Sequence, residues 1–198
     1  MPAHYTFVAV EGRMLAGFAG LPCSTTSATG PSTVVEFGPH PEMAEASRRM
    51  VAAMGATGFL SFDFMIETGT GTAYLLECNP RPNQVSHLGN RLGVDLCAAL
   101  HDGLRAGASG TATAPLGPQR REIVALFPQE WLRMCDSPAI AACHHDVPWD
   151  DAKLVMRLTA TASTSPLRQR RRLRVRVPIA SAARALIRPI RARFDTAY

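Results

Sequence analysis

The sequence is poor in lysine, cysteine and aromatic residues. A single lysine, Lys153, stands against twenty arginines, so the chain prefers arginine for positive charge and brings no lysine before position 153. Five cysteines, an odd number without tight spacing, suit reduced thiols better than a disulfide framework. No apolar run is long enough to span a bilayer, and the N-terminus lacks a basic-then-apolar signal pattern, so the expected compartment is the cytoplasm. What is present is globular in class: 198 residues, 46% apolar and 19% charged, enough for one domain or a domain with a tail.

Charge divides the chain. Residues 1–165 carry eleven basic and fifteen acidic side chains, whereas residues 166–198 carry ten arginines against Asp195 alone. In that tail Leu173, Val175 and Val177 alternate with arginines, and Ile179, Ala183, Leu186, Ile187, Ile190 and Phe194 follow at helical spacing around Pro189. Such a segment suits an anionic membrane, a nucleic-acid backbone, a protein partner or plain solvent.

The informative stretch is residues 58–89. Two apolar runs, 59–66 and 73–78, flank Thr68-Gly69-Thr70-Gly71, which predicts a β-hairpin. Side chains in a strand alternate faces, so Glu77 and Asn79 share one. Closure about Thr70 sets Asp63 opposite Glu77 on that same face. Opposed carboxylates repel, and among Phe62, Phe64, Met65, Tyr74, Leu75 and Leu76 they are costly to ionise. A divalent cation removes that cost, and two carboxylates with an amide are hard oxygen ligands that suit Mg²⁺ bound to a substrate phosphate. Arg81, between Pro80 and Pro82, offers a planar guanidinium to a phosphate or carboxylate. The competing reading is a solvated surface hairpin.

These residues resemble the C-terminal lobe of the ATP-grasp superfamily of carboxylate–amine and carboxylate–thiol ligases, in which an acid on one strand pairs with a Glu-x-Asn-x-Arg motif on the next. The match is clear over about a sixth of the chain. The resemblance implies that Asp63, Glu77 and Asn79 hold Mg²⁺, with Mn²⁺ as an alternative ion, on the phosphates of ATP. It implies that Arg81 contacts the transferred phosphoryl group and that Met65 and Leu76 line the adenine pocket. It also implies a carboxylate substrate activated as an acyl-phosphate. The family's phosphate-holding lysines lie upstream of the metal motif, and this sequence has none there. The expected fold is therefore α+β, an ATP-grasp C-terminal lobe with an antiparallel sheet packed by helices and a basic tail, whose N-terminal lobe is missing or supplied by a companion chain. The alternative is a non-catalytic remnant acting through its tail.

The remaining sequence predicts a lobe over residues 1–105, an extension over 106–165 and the arginine-rich tail over 166–198. Strands are expected at 4–10, 13–18, 33–37 and 122–127, and a polar loop over 21–32. Residues 40–55 predict a helix whose Met43, Ala46, Met50, Val51 and Met54 face the sheet, and residues 94–104 another. His87 is near enough to the motif to touch a substrate, although a structural or exposed histidine is the commoner case. Residues 106–117 read as a linker, and 128–134 opens a short helix. Cys135, Cys143, His144, His145 and Asp146 match no zinc spacing, and Trp149 is expected buried in a turn.

Overall fold

The computed structural model describes residues 1–27, 30–107 and 116–163, with the side chains of 160–163 excepted. The arginine-rich tail and most of the expected linker lie outside the described residues. The fold is α+β. Seven strands hydrogen-bond in the order β5-β4-β1-β2-β3-β6-β7. They are β1 (Pro2–Val10), β2 (Arg13–Thr25), β3 (Ser32–Gly38), β4 (Gly58–Ile66), β5 (Ala73–Asn79), β6 (Glu122–Leu126) and β7 (His144–Asp146). The β1–β2, β1–β4 and β4–β5 pairs are antiparallel, and β6–β7 is parallel. The chain divides into two compact units, one of Met1–Leu21 with Glu36–Glu122, the other of Pro22–Val35 with the residues from Ile123 onward.

In the first unit, β1 and β2 turn at Glu11 and Gly12, both with positive φ (48° and 77°), the conformation of a two-residue hairpin loop matched to strand twist. Alternation then sorts β1 into two faces. Ala3, Tyr5, Phe7 and Ala9 join Leu60, Phe62, Phe64 and Ile66 of β4 in a core, which α1 (Pro41–Met54) closes with Met43 and Val51. His40 caps that helix by accepting from the Met43 amide, and Gly55 ends it in the left-handed conformation. Its buried face is Met43, Ser47 and Val51, spaced four apart. Met50 and Met54, expected on that face, are exposed instead, although they share its helical spacing; both lie toward the C-terminal end of α1.

The other face of β1 is covered as well, with Thr6, Val8 and Val10 buried and His4 half-buried. A 3-10 turn over Ser86–Leu92 leads to α2 (Leu96–Ala106), capped by the Asp95 carboxylate on the Ala98 amide. Gly103 lets α2 approach closely: a Cβ there would stand 2.2 Å from Leu15 Cδ1 and 3.3 Å from Val10 Cγ2. His4 and Asp63 lie at the other end of this face, away from Val10 and α2.

In the second unit, α3 (Gln129–Arg133), α4 (Pro138–Ala142) and α5 (Ala152–Ser163) accompany β6 and β7. Glu130 is fully buried, held by Arg133 Nε at 2.8 Å and by the Ser137 hydroxyl. His145 stacks on Trp131 with ring centroids 6.1 Å apart and meets the edge of Phe127 at 5.7 Å. Two expectations are corrected here. Trp149 is 74% exposed rather than buried, since the aromatic packing beside His145 is already filled by Trp131 and Phe127. The expected loop over 21–32 begins late, because β2 continues through Thr25.

Candidate functional site

The predicted hairpin forms, and Asp63 pairs directly with Glu77. Its closure is not symmetric: Phe64 pairs with Leu75, so the register slips by one and Leu76 becomes the extra residue of a bulge. Phe62 and Phe64 turn into the core and stand on the face opposite the acids, so they do not surround Asp63 as expected. On the acid face Met65 is opposite Tyr74, and both are exposed.

Asn79 Nδ2 donates to Asp63 Oδ2 at 3.2 Å, which places the three expected ligands Asp63, Glu77 and Asn79 together. Asp63 is half-buried, Asn79 is half-buried and Glu77 is exposed. Burial and the charge of Glu77 push the Asp63 carboxyl above its usual range, while Arg81 and the bond from Asn79 pull against them without prevailing. Arg81 is exposed, two residues beyond Asn79, with its amide donating to the Asn79 carbonyl at 2.9 Å. Met65 is 40% exposed and Leu76 61%, and both lie on the hairpin beside the acids. His87 is exposed in the following turn.

Sequence reasoning missed the residues that fix this face. His4 pairs with Asp63 across β1 and β4, and with Gly20 across β1 and β2, so His4, Asp63 and Glu77 form one row over three strands. The His4 ring lies over Gly20 and edge-on to Phe37; its Nε2 is buried without a hydrogen-bond partner. Burial lowers its pKa to about 4, so it is neutral at neutral pH and offers the acids no positive charge. In the next row, Thr6, Ser61 and Asn79 share the face. Asn83 Nδ2 donates to Thr6 Oγ1 at 2.8 Å and Ser61 Oγ at 3.0 Å, while its Oδ1 accepts from the Val85 amide and the Ser86 hydroxyl. This one side chain pins the turn carrying Arg81 to both strands. The period-two alternation of His4 with Thr6 and of Ser61 with Asp63 was the available signal.

The donor set fits a hard divalent cation. Two carboxylates and an amide, with Asp63 held above its usual range by burial and then by Glu77, form an under-compensated negative group of hard oxygen donors. Asn79 would turn its amide oxygen toward such an ion, in place of the nitrogen that now meets Asp63.

No family model matches the sequence, and no curated protein matches it. Solved structures do. The biotin carboxylase of Campylobacter jejuni, in a complex with β-γ-ATP, is similar at 15% identity and a TM-score of 0.46, over 62% of this chain and 28% of that one. The phosphoribosylaminoimidazole carboxylase ATPase subunit of Aquifex aeolicus is similar at 13% identity and a TM-score of 0.40, over 62% and 38%. The biotin carboxylase domain of Hydrogenobacter thermophilus 2-oxoglutarate carboxylase, in complex with MgADP, ADP and bicarbonate, is similar at 21% identity and a TM-score of 0.40, over 62% and 29%. Each is a similarity of fold, and the chain spans between about a quarter and two fifths of the lengths of these three proteins.

Proposed function

We propose that this chain is the metal-and-phosphate side of an ATP-grasp ligase, binding Mg-ATP and serving the activation of a carboxylate as its acyl-phosphate. The observation that carries the reading is the Asp63–Glu77 pair, with Asn79 bonded to Asp63 and Arg81 two residues on. Asp63, Glu77 and the Asn79 amide oxygen would hold Mg²⁺, which when bound would supply charge neutralisation for phosphate oxygens. Arg81, exposed and fixed through the Asn83 anchor, contacts the transferred phosphoryl group. Met65 and Leu76 supply apolar surface to the adenine. A substrate carboxylate oxygen attacks the terminal phosphorus, ADP leaves, and an amine or other nucleophile then displaces phosphate from the acyl-phosphate. Chemistry of this kind asks the protein for positioning and charge neutralisation rather than covalent help.

The phosphate-holding lysines of the full site come from a lobe or companion chain outside this sequence. Glu77→Gln tests the reading, because Glu77 is exposed and its amide isostere leaves the strand pairing intact. We expect Mg-ATP affinity to fall at least about tenfold with an unchanged circular dichroism spectrum. Equal affinity in the variant contradicts the assignment.

A further inference from the structure

The second unit presents an exposed surface that the proposed phosphate site does not use. In α5, Val155, Leu158 and Thr159 are partly buried, while Lys153, Met156 and Arg157 are exposed. Positions 153, 156 and 157 are three and four apart, so these side chains form one stripe, two cations beside a long apolar chain. Met156 is 63% exposed, and Trp149, in the turn before the helix, 74%. Of the two neighbouring acids, Asp151 is held as the helix cap on the Leu154 amide at 2.9 Å, and Asp150 is exposed.

The chain runs from this helix into residues 164–198, which lie outside the described residues and are known by their sequence. Ten arginines occur there against Asp195 alone, and Leu186, Ile187, Ile190 and Phe194 fall at helical spacing. The same mixture of cations with long apolar side chains therefore stands on both sides of Ser163.

Arginine by itself suits any polyanion. The apolar side chains decide between them. A phosphate backbone gains nothing from Met156, Leu186, Ile187 or Ile190, whereas the boundary between lipid head groups and acyl chains accepts apolar atoms and positive charge together. Trp149 is also of the residue type that favours that boundary. We propose that Trp149, the exposed stripe of α5 and the arginine-rich segment after it form one surface that docks on an anionic lipid membrane, with Trp149 and Met156 entering the interface and the cations meeting the head groups.

The test sediments the 198-residue chain with vesicles of phosphatidylserine and phosphatidylcholine in equal parts, and with phosphatidylcholine vesicles as the uncharged comparison. The expected result is saturable binding to the anionic vesicles alone, weakened by added salt and at least about tenfold by the triple change Arg170→Glu, Arg171→Glu and Arg172→Glu. Tryptophan emission should move to shorter wavelength on binding, and the shift should be lost in Trp149→Phe, because Trp131 is already stacked on His145. Met156→Asp is expected to weaken binding about three- to tenfold with an unchanged circular dichroism spectrum. Absence of binding to the anionic vesicles, equal binding to the uncharged ones, or emission that does not shift would each overturn the proposal. Release of the bound chain by a random-sequence oligonucleotide, with unchanged vesicle affinity in Met156→Asp, would overturn it in favour of a nucleic-acid backbone.

Discussion

Two carboxylates, Asp63 on the hairpin and Glu130 at the start of α3, solve the same problem in opposite ways. Glu130 is fully buried, and burial alone would raise its pKa; Arg133 and Ser137 outweigh that and hold it below the usual carboxylate range. Asp63 is half-buried and its pKa is raised, by burial first and then by Glu77, because Arg81 and the bond from the neutral Asn79 amide are too weak to offset them. A buried acid with every demand met is a structural element. A less buried acid facing a like charge is, in the function proposed above, a site whose compensation comes from outside the chain.

The largest expected effect falls on the compensated acid. Glu130→Ala strands Arg133 and the Ser137 hydroxyl and is expected to cost about 3 kcal/mol in denaturant unfolding. Because the Glu130 pKa is depressed, its contribution is present above the ordinary carboxylate range and is lost as pH falls through the depressed value. The parent and Glu130→Ala unfolding curves should therefore converge in acid; a gap that persists there contradicts the role given to this ion pair.

Next comes the anchor. Asn83→Ala leaves Thr6 and Ser61, which are 1% and 4% exposed, without their shared donor, and is expected to cost about 2 kcal/mol. Since Asn83 pins the turn carrying Arg81, Mg-ATP affinity should fall along with stability. A variant that loses stability but binds nucleotide normally would separate the anchor from the site.

The smallest effect has the opposite sign. Asp63 has a raised pKa, so its ionisation penalises the fold as pH rises past the ordinary carboxylate range, and the penalty is complete above the raised value. Asp63→Asn is expected to stabilise the metal-free chain at neutral pH by less than about 1 kcal/mol, screened as it is by solvent. The gain should vanish in acid, where Asp63 is protonated in both states. Destabilisation at neutral pH would mean that Asp63 is a structural acid like Glu130.

The hairpin and its acid pair were legible because alternation and a Thr-Gly-Thr-Gly loop constrain strands locally, and because the Asp63–Glu77 pairing survives the slip in register. The slip itself was not, since a one-residue bulge at Leu76 leaves the alternating pattern readable either way. Asn83 looked like any loop polar residue, and its role depends on Thr6, 77 positions earlier in the chain. Trp149, expected buried in its turn, is exposed, and nothing local in the sequence distinguished it from Trp131, which stacks on His145. Met50 and Met54 share the helical spacing of the buried Met43, Ser47 and Val51, so periodicity did not show that the C-terminal end of α1 leaves them exposed. The limits of the helices are written in their caps, His40 and Gly55 for α1 and Asp95 and Gly107 for α2.

Calorimetric titration of Mg-ATP into the 198-residue chain and into Asp63→Asn under identical conditions decides whether the acid pair is a clamp for magnesium and phosphate. A clamp gives saturable, magnesium-dependent heat in the parent chain that disappears in the variant. Binding of equal strength in both, or heat that does not depend on magnesium, means that the pair is not one.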